Sequence, residues 1–146
     1  MTRRRQCLIW ATALPFASLA QAQTLSADER RAVRATIEAQ LQALAAGDAA
    51  GAFGFASPAI RQLFGNADNF LAMVRQSYPM VIRPAATAFF EPQRVDGLVL
   101  QGVQLRDAAG GSWLATYQLQ RLADQPGQPW RINGVVVAAD AGKSST

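Results

Sequence analysis

A small set of polar side chains in this sequence has the chemistry to hold or act on a small molecule: Gln40, Asp48, Tyr78, Arg83, Gln101, Asp107 and Tyr117. A carboxylic acid with a raised pKa, next to a tyrosine hydroxyl, can move a proton beside a carbonyl group. Asp48 and Asp107 suit that role poorly, because Asp48 has the context of a helix cap and Asp107 that of a turn. Glu91 is the acidic residue nearest to an inward strand position. Proton transfer is therefore one hypothesis, and binding without chemistry is another.

The candidates also have structural interpretations. Tyr117 shares its strand parity with Leu119, so its ring is predicted to face the core, where a buried tyrosine usually finds a hydrogen-bond partner. Arg83 is predicted either to bond a carbonyl at a helix C-terminus or to bind an anion. Gln40 lies on the apolar stripe of the first helix, seven residues after Val33. It needs a partner from the backbone, from water or from a ligand.

The composition excludes several classes of site. The sequence has no histidine and one cysteine, Cys7. It therefore holds no Ser-His-Asp or Cys-His nucleophile system, no intramolecular disulfide and no thiolate zinc cluster. Its acidic residues form no Asp-x-Asp-x-Asp loop, and no glycine-rich phosphate loop is present. We expect no metal and no cofactor.

The charge balance argues against a nucleic-acid partner. The sequence has 14 basic and 10 acidic side chains, a formal net charge of +4. Arg3, Arg4 and Arg5 supply three of the basic side chains, so the rest of the chain is close to neutral. No basic stripe interleaved with aromatic residues remains for nucleic acid to bind.

Residues 1–22 have the layout of a secretory signal peptide: a basic start, an apolar run over 7–20 and a small-x-small site that ends at Ala22. The apolar run is shorter than the roughly 20 residues that span a bilayer. The pair Arg4-Arg5 also resembles the twin-arginine export pattern, and the sequence leaves the route open between that and general secretion. We expect a periplasmic or secreted protein, cleaved after Ala22, whose mature form has no membrane span.

The candidate site residues are distributed over a predicted helical N-terminal half of the chain and a predicted β-strand C-terminal half. Apolar spacing predicts a long helix over 25–46, with Ser26 and Glu29 forming a capping box and Gly47 ending the helix. Short helical segments follow, ended by Pro79. Their predicted caps are Asp48, Ser57 and either Asn66 or Asp68.

Four strands are predicted after Pro84, over 87–95, 98–107, 112–122 and 130–139. The first two flank Asp96-Gly97, a strong hairpin signal. Trp130, Ile132 and Val136 share one parity, which predicts that they lie on one face of the last strand. Helices followed by consecutive antiparallel strands predict an α+β fold: a long N-terminal helix and short helices packed on a curved four-stranded antiparallel sheet. We expect a single domain over 23–140 and a disordered polar tail over 141–146.

The sequence resembles a bacterial family known as domain of unknown function 4864, over nearly the whole predicted mature chain. The resemblance rests on residues and short motifs that occur in the family's order. They are Phe53, Phe55-Ala56-Ser57-Pro58, Ile60, Phe64-Gly65, Phe70, Met73-Val74, Tyr78, Arg83-Pro84, Asp96-Gly97, Gln101-x-Val103, Asp107, Trp113, Tyr117-x-Leu119 and Trp130-Arg131-Ile132-x-Gly134. The order of elements is similar to the nuclear transport factor 2-like, or cystatin-like, superfamily. That likeness implies a pocket between the concave sheet face and the helices. In some members such a pocket serves enolisation, dehydration or cyclisation of small hydrophobic substrates.

Together these observations predict an exported α+β domain that is a small-ligand-binding module or an interaction module. Its pocket is expected to use Gln40, Tyr78, Arg83, Gln101 and Tyr117. One alternative is an isomerase, dehydratase or cyclase that transfers protons on a small hydrophobic substrate. Another is a partner-binding subunit that forms a homodimer through the outer sheet face.

Overall fold

The computed structural model of the protein describes residues 24–140. The predicted signal peptide (1–22) and the predicted tail (141–146) lie outside the described residues. The helical half consists of α1 (Ala27–Ala45), α2 (Ala49–Gly54), α3 (Pro58–Phe64), α4 (Ala67–Ser77) and a 3-10 turn (Pro79–Val81). The strand half consists of β1 (Ala86–Phe89), β2 (Gln93–Val95), β3 (Leu98–Arg106), β4 (Ser112–Arg121) and β5 (Trp130–Ala139).

The helices begin at the predicted caps. Ser26 Oγ accepts a hydrogen bond from Glu29 N at 3.1 Å, and Ser26 N donates to Glu29 Oε1 at 3.1 Å, which completes the capping box of α1. The side chains of Asp48, Ser57 and Asn66 accept from the first turns of α2, α3 and α4. Each cap satisfies a backbone N–H that has no partner within its own helix.

The sheet has five antiparallel strands, because the predicted first strand is two strands. Both β1 and β2 pair with β3, which pairs with β4, which pairs with β5. Phe89 lies opposite Val103 but Gln93 lies opposite Leu100, so the first edge carries one extra residue. Pro92 has no backbone N–H to donate, and the ladder breaks there. The prediction of four strands was wrong for this reason.

A second irregularity lies in β5. Gln118 pairs with Gly134 and Leu119 pairs with Ile132, so Asn133 has no opposite residue on β4. One extra residue moves every later side chain to the other face of the sheet. Val136, predicted to share a face with Trp130 and Ile132, is instead 71% exposed on the outer face. That prediction was wrong because the bulge reverses the alternation.

The helices cover one face of the curved sheet, and the core lies between them. The stripe of α1 (Val33, Ile37, Leu41 and Leu44) is buried against the inward residues of the central strands. Alternation along β3 and β4 supplies those inward residues: Val99, Gln101, Val103, Leu105, Ala115, Tyr117 and Leu119. The predicted α+β architecture is confirmed, with five strands in place of four.

The helical layer is bonded to the sheet through the segment that joins α2 to α3. Ser57 N donates to the Ile132 carbonyl oxygen at 2.8 Å, and Ile132 N donates to the Phe55 carbonyl oxygen at 2.7 Å. These bonds form a short parallel bridge between Ala56 and Ile132. The backbone at the start of α3 is therefore fixed against β5, next to the bulge at Asn133.

Candidate functional site

A cavity of about 220 Å³ lies between the helices and the inner sheet face. Helix α1 contributes Gln40 to it, and the segments around α3 and α4 contribute most of its apolar wall. The sheet contributes Tyr117 from β4 and residues on both sides of the β5 bulge. The fifteen lining residues are Gln40, Leu44, Ala56, Ile60, Leu63, Phe64, Phe70, Met73, Val74, Tyr78, Val81, Tyr117, Ile132, Gly134 and Val135.

The β5 bulge shapes the sheet side of this cavity. Ile132 and Val135 are three residues apart, an odd spacing that puts residues of a regular strand on opposite faces. The extra residue at Asn133 restores both to the inner face, where both line the cavity. Gly134, at the bulge, adds no side chain to that wall.

Tyr117 is the most deeply buried polar side chain of the cavity. Only 2% of its surface is exposed, because β4 is an interior strand of the sheet and Tyr117 lies on the face that the helices cover. Burial alone raises the pKa of Tyr117 above its ordinary value, so the phenol stays protonated. Among residues 24–140 its hydroxyl makes no hydrogen bond. The cavity wall therefore includes a buried tyrosine whose hydroxyl has no partner within the described part of the chain.

Gln40 supplies a second buried polar group, 6% exposed, on the cavity side of α1. Its Nε2 donates to the Ala52 carbonyl oxygen at 3.1 Å. A carbonyl only accepts hydrogen bonds, so the nitrogen of the amide must face Ala52. The amide oxygen is then left over, and within residues 24–140 nothing donates to it. The cavity wall thus carries an acceptor as well as a donor.

The rim of the cavity is more open to solvent than its base. Tyr78, the residue that ends α4, is half-buried, and Leu63 of α3 is 71% exposed. Phe64 and Phe70, which both line the cavity, pack edge to face with ring centroids 5.8 Å apart. Both tyrosines and Gln40, three of the five predicted pocket residues, are thus brought together in one cavity.

The other two predicted residues lie elsewhere. Arg83 donates from Nε and Nη2 to the Ala45 carbonyl oxygen, at 3.2 and 2.8 Å. This is the helix C-terminal contact that the sequence offers as one interpretation of Arg83. Gln101 is buried, but its Nε2 donates to the carbonyl oxygens of Phe90 and Gly102, at 2.6 and 2.9 Å. It supports the break between β1 and β2 and lies outside the cavity.

The carboxylates of residues 24–140 are all at least partly exposed, and none of them lines the cavity. Asp48 caps α2 by accepting from Gly51 N at 2.9 Å. Asp107 holds its turn by accepting from Gly111 N at 2.7 Å. Glu91 pairs with Arg30 at the surface, at 3.0 Å. The described part of the chain therefore places no acid or base beside Tyr78 or Tyr117, and no cluster of metal-ligating side chains occurs in it.

One hydrogen-bonded set of side chains near the cavity, Ser57, Asn133 and Gln118, is not predicted from the sequence. Ser57 Oγ donates to Asn133 Oδ1 at 2.9 Å, and Asn133 Nδ2 donates to Gln118 Oε1 at 2.7 Å. Ser57 Oγ also accepts from Ile60 N, which makes it the cap of α3. The signal for this group was Gly134, because a glycine inside a strand pattern often marks a bulge.

Comparison with known proteins identifies the family of this chain. In residues 24–140, the helices are all too short or too polar to cross a membrane. Neither the curated proteins nor the solved structures include a match to the chain. The model of one family, described as Domain of unknown function (DUF4864), matches residues 26–145. That match covers most of the sequence, including the helices, the bulge and both buried polar residues of the cavity. The chain therefore belongs to the DUF4864 family.

Proposed function

We propose that this protein binds a small, mostly apolar molecule in the cavity between its helices and its sheet. The observation that carries the proposal is the cavity itself: about 220 Å³, walled largely by apolar side chains, with Tyr117 and Gln40 among them. A few convergent polar groups in an apolar pocket are typical of small-molecule sites. A dry apolar cavity of roughly 150 Å³ holds benzene, so this one has room for a molecule of about ten non-hydrogen atoms.

Two further features bear on the superfamily of the protein and on its cellular location. The order of the helices and the curved sheet supports placing the family in the nuclear transport factor 2-like, or cystatin-like, superfamily. The basic start, the apolar run and Ala22 support export to the periplasm or beyond before the protein acts. Because no carboxylate of residues 24–140 lines the cavity, the proposal rests on binding and not on proton transfer.

The test blocks the cavity with a larger side chain and measures whether a ligand still binds. Isothermal titration calorimetry measures the affinity of the full-length chain for indane, an apolar probe of about the right size. Val135→Phe places a larger side chain in the cavity wall and is expected to abolish binding. Val136→Phe makes the same change at the next residue, on the opposite sheet face, and is expected to bind indane as the wild type does. Far-ultraviolet circular dichroism checks that both variants are folded.

Two results would contradict the proposal. One is failure of the wild-type protein to bind indane and every polar derivative of indane tested below. The other is equal loss of binding in the two folded variants, since Val136 points away from the cavity and is 71% exposed. Native mass spectrometry of protein purified from its own host gives an independent reading, because a retained ligand adds mass that denaturation releases.

The outer sheet face favours a second candidate function, a homodimer. Phe90, Leu114 and Val136 are 51%, 39% and 71% exposed on that face. Exposed apolar patches often mark interaction sites. We expect Val136→Lys to convert a dimer to monomers. Leu63→Lys, at an equally exposed position on α3, is expected to leave the dimer intact. Sedimentation equilibrium measures both, and a monomeric wild-type protein would reject the dimer.

A further inference from the structure

We propose that the molecule held in the cavity is a neutral alcohol or phenol whose hydroxyl group bonds to Tyr117 and Gln40. This inference rests on the proposed function, because it names the chemistry of the ligand for the same cavity. It is carried by two buried polar groups that have unused hydrogen-bonding capacity and that line one apolar cavity.

The donor is the Tyr117 hydroxyl. Buried polar groups in folded proteins are nearly always hydrogen-bonded. This hydroxyl, on a side chain only 2% exposed, has no partner among residues 24–140. The only cause of its altered pKa is burial, which agrees with the absence of a bonded neighbour there. A ligand oxygen that accepts from Tyr117 would satisfy it.

The acceptor is the amide oxygen of Gln40. The bond from Nε2 to the Ala52 carbonyl oxygen fixes which end of the amide faces the backbone. The oxygen is then available to a donor on the ligand. Gln40 and Tyr117 form no hydrogen bond with each other. A hydroxyl group both accepts and donates, whereas a carbonyl only accepts and an ammonium group only donates.

The charge of the lining favours a neutral ligand. None of the fifteen residues that form the cavity is Asp, Glu, Lys or Arg. An ionised carboxylate or ammonium group would lose its hydration without meeting a counter-charge. An alcohol or phenol needs only the donor and the acceptor that the wall provides.

The exposure of the lining also suggests an orientation. Tyr117 and Gln40 are 2% and 6% exposed, whereas Leu63 at the rim is 71% exposed. The polar pair therefore lies away from the exposed rim at Leu63. We expect the hydroxyl of the ligand to lie at the buried part of the cavity, beside Tyr117 and Gln40.

The experiment compares probes that differ only in their polar group. Calorimetry measures the affinities of indane, 2-indanol, 2-indanone and indane-2-carboxylate for the full-length wild-type chain. We expect 2-indanol to bind most tightly and the carboxylate to bind least. In Tyr117→Phe and Gln40→Met, the preference for 2-indanol over indane should fall about tenfold, the effect of one lost hydrogen bond. Binding of indane itself should persist in both variants.

Thr36→Val is the matched control, because it removes a buried hydroxyl, bonded to the Ala32 carbonyl oxygen, from a residue of α1 that does not line the cavity. It should change the preference for 2-indanol by less than about twofold. The inference is overturned if the preference is the same in Tyr117→Phe as in the wild type, if Thr36→Val lowers the preference as much as Tyr117→Phe does, or if the carboxylate binds as tightly as 2-indanol. In each of these cases indane still binds, and the proposed function stands. Failure of all four probes overturns the proposed function as well.

Discussion

The Tyr117 hydroxyl is a local cost to the folded protein when no ligand bonds to it. Burying a polar group without a partner loses its bonds to water, and an apolar group of the same shape avoids that loss. We therefore expect the free energy of unfolding of ligand-free Tyr117→Phe to equal that of the wild type or to exceed it by up to about 1 kcal/mol. Urea denaturation followed by tryptophan fluorescence measures the difference.

Tyr78→Phe provides the comparison, since Tyr78 is half-buried whereas Tyr117 is 2% exposed. Its free energy of unfolding should match that of the wild type. A clear loss of stability in Tyr117→Phe would mean that its hydroxyl is already bonded in the free protein. The hydroxyl would then not be available to a ligand.

Single-residue features of the site were predictable where a local pattern determines them. Helical periodicity places Gln40 on the apolar stripe, and strand alternation places Tyr117 on the inner face. The pattern does not say where a side chain is in space relative to another element. Arg83 reaches back to α1, and Gln101 bonds the break between β1 and β2, so both lie outside the cavity.

At the level of elements, the start of α1 is predicted to be sensitive to pH. The bond that Glu29 accepts from Ser26 N, and then the one from Arg94 at 2.7 Å, hold the pKa of Glu29 below its ordinary value. A lowered carboxyl pKa adds stability above the ordinary glutamate range, and that stability is lost as the pH falls through the folded-state pKa. We expect Glu29→Gln to reduce this loss.

The measurement is the free energy of unfolding of wild type and Glu29→Gln at pH 7 and in mild acid. The two proteins should differ more at pH 7 than in acid. Glu38→Gln removes a carboxylate from the same helix and serves as the control, because among residues 24–140 Glu38 pairs with Arg34 alone. A difference for Glu29→Gln that is equal at both pH values would contradict the assignment.

The boundaries of the helices were predictable because helix caps are local chemistry. Ser26, Asp48 and Ser57 each bond a backbone N–H three residues ahead. The irregularities of the sheet were not, since a register depends on the partner strand. Pro92 and Asn133 each mark a place where one strand has a residue that its neighbour lacks. The extra residue near Pro92 divides the predicted first strand into two. The extra residue at Asn133 moves Val136 to the outer face of the sheet.

At the scale of the whole molecule, Ser57, Asn133 and Gln118 join the helical layer to the sheet. Asn133→Ala leaves two buried or half-buried partners unsatisfied and should lower the free energy of unfolding by about 1 to 3 kcal/mol. Ser57→Ala also removes the cap of α3 and should lower it by about 1 to 2 kcal/mol. Because the two side chains share one bond, the double variant should lose less than the sum of the single losses.

Urea denaturation of the wild type, both single variants and the double variant completes this cycle. Asn66→Ala removes the cap of α4, which has no bond to the sheet, and its loss should add to that of Asn133→Ala. Strict additivity of Ser57→Ala and Asn133→Ala would show that the two layers are not energetically coupled through this bond.

The bond between Ser57 and Asn133 spans 76 positions in the sequence. Bringing such distant segments together is slow, because the entropy of closing a long loop is lost before the contact forms. The C-terminal strand β5 also carries Ile132 and Val135, so the cavity wall is complete only after this strand has paired with β4. The proposed ligand site is therefore complete only once β5 has joined the sheet, and a chain truncated before β5 would lack that wall of the cavity.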